Sequence, residues 1–145
     1  MQNIILASDH AGFKLKKEIK SFLIKNKKKV LDLGTNSSES VDYPDFAHRL
    51  SYKIKKNEKH VGILICGSGI GMGMAANRHK NIRAALCYNI KSAKLSREHN
   101  NANVMAIGAR TKDEGDWDEF IEMINLFIKT KIGKGRHERR VNSIN

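Results

Sequence analysis

Cysteine is scarce in this chain, as are proline, aromatic residues and acid. Two cysteines, Cys66 and Cys87, give no disulfide framework, and the compartment expected from this is a reducing cytoplasm. There is no Cys-x-x-Cys and no His-Glu-x-x-His, and the histidines are scattered without metal-ligand spacing. The single proline, Pro44, fits the first turn of a helix. No apolar run approaches a membrane span, and Met1-Gln2-Asn3 enters a strand directly with no signal peptide, so no membrane partner is expected. Aromatic residues are 6% of the chain and are not interleaved with basic ones in the manner of single-strand binders. Acidic residues number 15 against 27 lysines and arginines, a formal net charge of +12. The lysines, however, are spread over predicted helix faces and turns: Lys14, Lys16 and Lys17, then Lys25 to Lys29, then Lys53 to Lys59. A solvated basic surface that attracts anionic small molecules accounts for the charge, and no nucleic-acid partner is expected.

What is present suits one domain with a real core: 145 residues, 40% hydrophobic and 29% charged. Ile4 to Ala7 reads as a buried strand, with Ser8-Asp9-His10-Ala11-Gly12 as the turn after it. A helix follows, with Leu15, Ile19, Phe22 and Leu23 as its apolar stripe. Val30 to Leu33 is a second strand, Thr35 to Val41 a polar loop, and a helix opening at Asp42-Tyr43-Pro44 buries Phe46, Ala47, Leu50 and Ile54. Val61 to Ile65, Arg83 to Cys87 and Val104 to Ile107 are further strands. Asn89 caps a helix to about Arg97, and a last regular stripe runs through Trp117, Phe120, Ile121, Ile124, Phe127 and Ile128. A basic helix over about 134–143 closes the chain. Strand and helix alternate five times with no repeat, linker or second domain. The predicted fold is a single-domain open five-stranded parallel sheet with helices on both faces, a Rossmann-like three-layer sandwich spanning 1–145. In such folds the site lies beyond the carboxyl ends of the strands. Asp9-His10, Asp42-Tyr43, Cys66 and Arg110 all stand at or just after strand ends.

Residues 61–78 organise the rest. A buried strand passes Cys66 and meets glycine at every second position, Gly67, Gly69, Gly71 and Gly73, before a helix beginning near Met74-Ala75-Ala76. Such a turn presents free backbone N–H groups to phosphate, carboxylate or a developing oxyanion. A thiol at its mouth sits where a helix N-terminus favours thiolate. Tight packing of glycines and an inert buried cysteine are the plain alternative. A dinucleotide fingerprint fits poorly, because the glycine spacing is wrong and no acid stands about 20 residues on. No Lys-Ser/Thr pair ends the run, which excludes a Walker loop. Asp9 could be only a helix cap, and Arg136 and Arg140, four apart on one face, only a solvated tail. His48 and His79 read as surface residues.

Taken together and in order, several segments are far more specific than any one of them. Ser-Asp-His-Ala-Gly-Phe-Lys-Leu-Lys, Asp-Tyr-Pro, Ile-Cys-Gly-Ser-Gly-Ile-Gly-Met, Ala-Ala-Asn, Ser-Arg-Glu-His-Asn, Asn-Val-Met-Ala-Ile-Gly-Ala-Arg and Gly-Arg-His-Glu-Arg-Arg-Val resemble the type B ribose-5-phosphate isomerases over essentially the whole chain. That wider family includes allose-6-phosphate isomerases and the subunits of galactose-6-phosphate isomerase. The resemblance implies aldose–ketose isomerisation through a cis-enediol, with no metal or organic cofactor. It places Cys66 as general base, and the backbone from Gly67 through Gly69 and Ile70 to Gly71, with Ser68, as the anion hole. It gives ring opening to His99 assisted by Asp9, the sugar to Asn100, Asp42 and Tyr43, and the phosphate to His10, Arg110, Arg136 and Arg140. Ser68 stands where many members carry Thr. One branch lacks the cysteine and carries Glu where this chain has Met72, which groups this chain with the cysteine users.

The resemblance also implies a phosphorylated pentose substrate and a homodimer, or a tetramer built from it, with shared active sites. Topology points the same way, because His99 and Asn100 precede the fifth strand and should lie at the edge opposite Cys66. Another aldose 6-phosphate isomerase and a non-catalytic sugar-phosphate binding module are the competing readings.

Overall fold

The computed structural model describes residues 2–112 and 116–144. The apolar runs become five strands, and the striped segments between them become helices. In chain order these are β1 (Ile4–Ser8), α1 (Phe13–Lys25), β2 (Val30–Asp32), α2 (Tyr43–Lys55), β3 (Val61–Cys66) and α3 (Ile70–Ala76). They continue with β4 (Ala84–Leu86), α4 (Ile90–Glu98), β5 (Val104–Gly108), α5 (Trp117–Lys129) and α6 (Arg136–Asn142). All pairings are parallel, in the order β2-β1-β3-β5-β4. The three inner strands are buried throughout, as continuous apolar runs between two helical layers must be. The edge strands are shorter than their apolar runs, three residues each, because each pairs on one side only.

Alternate residues of each inner strand feed two cores. Ile4, Leu6, Ile63, Ile65, Met105 and Ile107 meet Ile19 and Leu23 of α1, Ala93 of α4, and Phe120, Ile124 and Phe127 of α5. Ile5, Ala7, Leu64 and Ala106 meet Phe46, Leu50 and Ile54 of α2 and Met72 and Ala76 of α3. Leu50 is wholly buried and packs so closely on Gly62 that a Cβ there would lie 2.5 Å from its Cδ2. Truncating such a leucine to alanine costs roughly 2–5 kcal/mol. Local signals start α2 and α4 where expected, whereas α3 begins at Ile70, ahead of the expected Met74, so Gly71 and Gly73 lie inside the helix and not in the turn before it. Pro44 stands in the first turn of α2, and Asn89 caps α4 in a reciprocal box with Ser92, accepting from Ser92 N–H at 2.7 Å.

This layering creates the crevice. β1 hands the chain to α1 on one face, while its neighbour β3 hands it to α3 on the other. The carboxyl ends of β1 and β3 therefore flank the point where the winding reverses, which is where ligands bind in open parallel sheets.

Candidate active site

Cys66 ends β3 at this point, only 4% exposed. Its Sγ accepts the Gly69 N–H at 3.1 Å, so the turn folds back over the sulfur and orients it. Ser68 Oγ accepts the Ile70 N–H at 3.2 Å. Gly69 has φ +80, and a Cβ there would fall 2.8 Å from the Ile107 backbone, so conformation and space both demand glycine. The Tyr43 ring lies against Gly71, at 2.6 Å from where a Cβ would stand, which brings the start of α2 onto the turn. The amides of Ser68, Gly71 and Met72 donate to no acceptor among the described residues and remain available to an anion. Met72 is fully buried in the core beneath α3. Burial pushes the Cys87 thiol up to about 11, against a weak opposing contact from Ser96.

Other predicted residues gather around the same turn. Asp9 is buried, and its N–H donates to the Ile65 carbonyl at 3.2 Å, one residue from Cys66. Its Oδ1 accepts the Gly12 N–H at 3.1 Å, so it does help to start α1. Oδ2 has no partner among the described residues, so capping leaves half the carboxylate free. His10 Nδ1 accepts the Val41 N–H at 3.1 Å. Arg110 reaches back over the turn, its Nη1 3.7 Å from where a Gly67 Cβ would stand, while its N–H donates to the Gly67 carbonyl at 3.0 Å. Asp42 is the residue before α2, and its carboxylate makes no capping bond. Cys66, residues 67–71, Asp9, His10, Tyr43 and Arg110 thus form one cluster at the carboxyl edge.

His99, Asn100, Arg136 and Arg140 form a second cluster elsewhere. His99 ends α4 and stacks on His137 of α6, with ring centroids 4.3 Å apart and planes at 9°. The Gly133 N–H donates to the Glu98 carbonyl at 2.7 Å, fastening the segment before α6 to the end of α4. This cluster lies at the amino edge, since Asn103 just ahead of β5 donates its N–H to Arg83 just ahead of β4. Cys66 stands at the other end, level with Gly108. Burial, then His99, then Arg136 and Arg140, hold His137 below the usual histidine range, with Glu98 opposing. α6 is shorter than expected because Gly135 precedes it at φ +72, outside helical space.

Three expectations need correction. Lys16 is not on the solvated surface. Its side chain is 1% exposed and bonds Asp32 Oδ1 at 2.6 Å and the Thr35 carbonyl at 2.7 Å. The signal was its spacing from Ile19 and Leu23, which puts it on the apolar stripe of α1. His48 and His79 are not isolated surface residues either. Both are half-buried, with His48 Nδ1 2.7 Å from His79 Nε2 across the α2–α3 packing, and Tyr52 meets His79 edge-on. Burial, then His48, then Lys55 hold His79 below the usual histidine range. Sequence reasoning gives His137 no role, although it sits between Arg136 and Arg140 in the same motif.

Among the described residues, no group of three or more His, Cys, Asp or Glu is placed to hold a metal ion, and no helix is long and apolar enough to cross a membrane. An open parallel sheet with a thiol and a glycine turn at its switch crevice, ringed by a histidine and an arginine, defines a doubly wound α/β protein built to take a small anionic ligand. The chain belongs to the ribose/galactose isomerase family, whose model matches residues 4–144. It is 39% identical over 148 residues to ribose-5-phosphate isomerase B of Escherichia coli (strain K12), covering 99% of this chain and 95% of that protein. The crystal structure of ribose-5-phosphate isomerase B from Mycoplasma genitalium with bound ribulose-5-phosphate superposes with a TM-score of 0.93 at 44% identity, covering 99% of this chain and 93% of that one. Ribose-5-phosphate isomerase B from Clostridium thermocellum gives a TM-score of 0.92 at 43% identity, covering 98% and 94%.

Proposed function

We propose that this chain interconverts D-ribose 5-phosphate and D-ribulose 5-phosphate through a cis-enediolate, with Cys66 as the general base. The observation that carries the reading is the Cys66 thiol under the Gly69 N–H, at the mouth of a turn whose Ser68, Gly71 and Met72 amides have no acceptor among the described residues. A relative of 44% identity binds ribulose-5-phosphate, which supports the choice of substrate. Once the furanose ring is open, the Cys66 thiolate takes the proton from C2. The electron pair moves toward the C1 carbonyl, and the enediolate oxygen is met by the turn amides and Ser68. The thiol returns the proton to C1 as the hydroxyl proton of O2 is lost and O1 gains one, leaving the ketose. Stabilising charge that exists only in the transition state is what raises kcat. Phosphate, remote from the reacting carbons, supplies orientation through His10 and Arg110.

His99 as ring opener, with Asn100, Arg136 and Arg140, belongs to the same reading only in a two-fold dimer, where these residues come from the partner. Ile70, Met74 and Leu86 line an exposed groove beside the turn, and Tyr88 and Ile90 are exposed just beyond β4. An apolar face of this kind beside a half-complete site supports its being covered by a second copy. Six-carbon aldose phosphates are the alternative within the family, which is named for both ribose and galactose. A coupled assay with ribose 5-phosphate beside allose 6-phosphate and galactose 6-phosphate decides. Turnover is expected with ribose 5-phosphate, and its absence with all three would leave a non-catalytic binding module.

A further inference from the structure

Lys16 holds more than its helix. Burying an ammonium is unfavourable unless it is paired and fully hydrogen-bonded. Here the partners are Asp32 and the Thr35 carbonyl, with Asp32 also accepting the Gly34 N–H at 3.0 Å and Lys20 at 3.2 Å. Burial alone would push the Asp32 carboxyl up, but Lys16, the Gly34 N–H and Lys20 together hold it below the ordinary carboxylate range. All of these contacts converge on the start of the connection from β2 to α2. That start is also laced to the end of β1, with Ser8 N–H donating to the Gly34 carbonyl at 2.8 Å and Thr35 N–H to the Ser8 carbonyl at 2.9 Å. The far end of the same connection returns to β1's turn, where the Val41 N–H meets His10 Nδ1. The connection is therefore tied at both ends to the residues flanking Asp9.

An amide N–H can only donate. The nitrogen that accepts it must present a lone pair, and a neutral imidazole then carries its proton on the other nitrogen. We propose that the Val41 amide locks His10 as the Nε2–H tautomer and that Lys16, acting through the Thr35 carbonyl, is the positioning residue that keeps this lock in register with Asp9 and the Cys66 turn. This rests on the reading that His10 faces the substrate phosphate. The phosphate then receives from His10 one neutral donor of fixed direction, and its charge is met by arginine.

The test reads the tautomer directly. Protein labelled with nitrogen-15 histidine is studied by long-range proton–nitrogen correlation at neutral pH, with the His10 signals identified by their loss in His10→Gln. Wild type should show Nδ1 unprotonated and Nε2 protonated. Lys16→Met and Val41→Pro, which remove the anchor and the amide donor respectively, should both show His10 exchanging between tautomers. Their KM for ribose 5-phosphate should rise about tenfold, the loss of one hydrogen bond, with kcat within about twofold of wild type. Val41→Ala keeps the N–H and should keep both the tautomer and KM. A His10 proton on Nδ1 in wild type overturns the proposal, as does an unchanged His10 spectrum in both variants. If Lys16→Met fails to fold, the wild-type tautomer and Val41→Pro decide alone. Absence of isomerase turnover together with the Nε2–H tautomer in wild type and its loss in Val41→Pro would refute the reaction and uphold the lock. Turnover together with a proton on Nδ1 would do the reverse.

Discussion

Mixing two inactive variants tests the shared site most severely. In one chain Cys66 is level with Gly108 at the carboxyl end of β5, while His99 lies before its amino end. With a rise of about 3.3 Å per residue over the strand, the two edges are roughly 15 Å apart. General acid–base chemistry needs donor and acceptor within hydrogen-bond reach, about 3 Å, or one water more. One subunit cannot bring both groups to a single sugar, so the proposed reaction calls for the histidine of a second subunit. Cys66→Ala and His99→Ala proteins, each inactive alone, should therefore complement when their subunits are exchanged. A mixed dimer carries one site lacking both groups and one with both intact. Half of the dimers in an equal random mixture are mixed and each has one of two sites working, so activity should recover to about a quarter of wild type. The coupled isomerase assay, run before and after exchange through mild denaturant, reads this directly. No recovery after exchange verified by mass-tagged subunits would show that base and histidine come from the same chain, and the shared site would be refuted.

The two thiols should separate chemically. Substrate should protect the protein from alkylation, and peptide mapping should find Cys66 modified before Cys87, whose thiol burial pushes up to about 11. Cys66→Ala should keep substrate affinity while kcat falls by ~10²–10⁴, the usual weight of a general base, and near-normal turnover would remove the cysteine from the mechanism. Arg136→Ala or Arg140→Ala should each raise KM for ribose 5-phosphate by about 10–150-fold, the ~1.5–3 kcal/mol of a charged hydrogen bond, while any trace activity on free ribose stays level. The His48–His79 contact should appear in stability against pH. His79 titrates below its unfolded value, so the folded state binds fewer protons and its contribution, present above about pH 6.5, is lost as pH falls through the lowered folded value. His79→Gln should flatten the fall in melting temperature between about pH 7 and pH 5, and an unchanged slope would mean the pair does not matter.

Much of this protein is written in local spacing. The alternation of buried runs with 3.6-period stripes gives five parallel strands and the helices between them, because burial on two faces and burial on one face leave different patterns along a chain. Pro44, Asn89 and the glycines of residues 67–73 mark helix starts and the ligand turn through conformational limits that each residue carries by itself. What spacing could not contain was which distant segments meet. The order β2-β1-β3-β5-β4 sets the crevice at β1 and β3, and it follows from how whole helices pack on the sheet. Lys16 lay among lysines that face water, and only the arrival of Asp32 and Thr35 from a strand away made its burial tolerable. His48 and His79 are 31 residues apart, and His99 and His137 come from separate helices, so their pairings exist only once α2 meets α3 and the segment before α6 docks at the end of α4. Propensity and periodicity act within a few turns of chain. Desolvation and pairing of polar groups depend on neighbours that only the folded chain brings together.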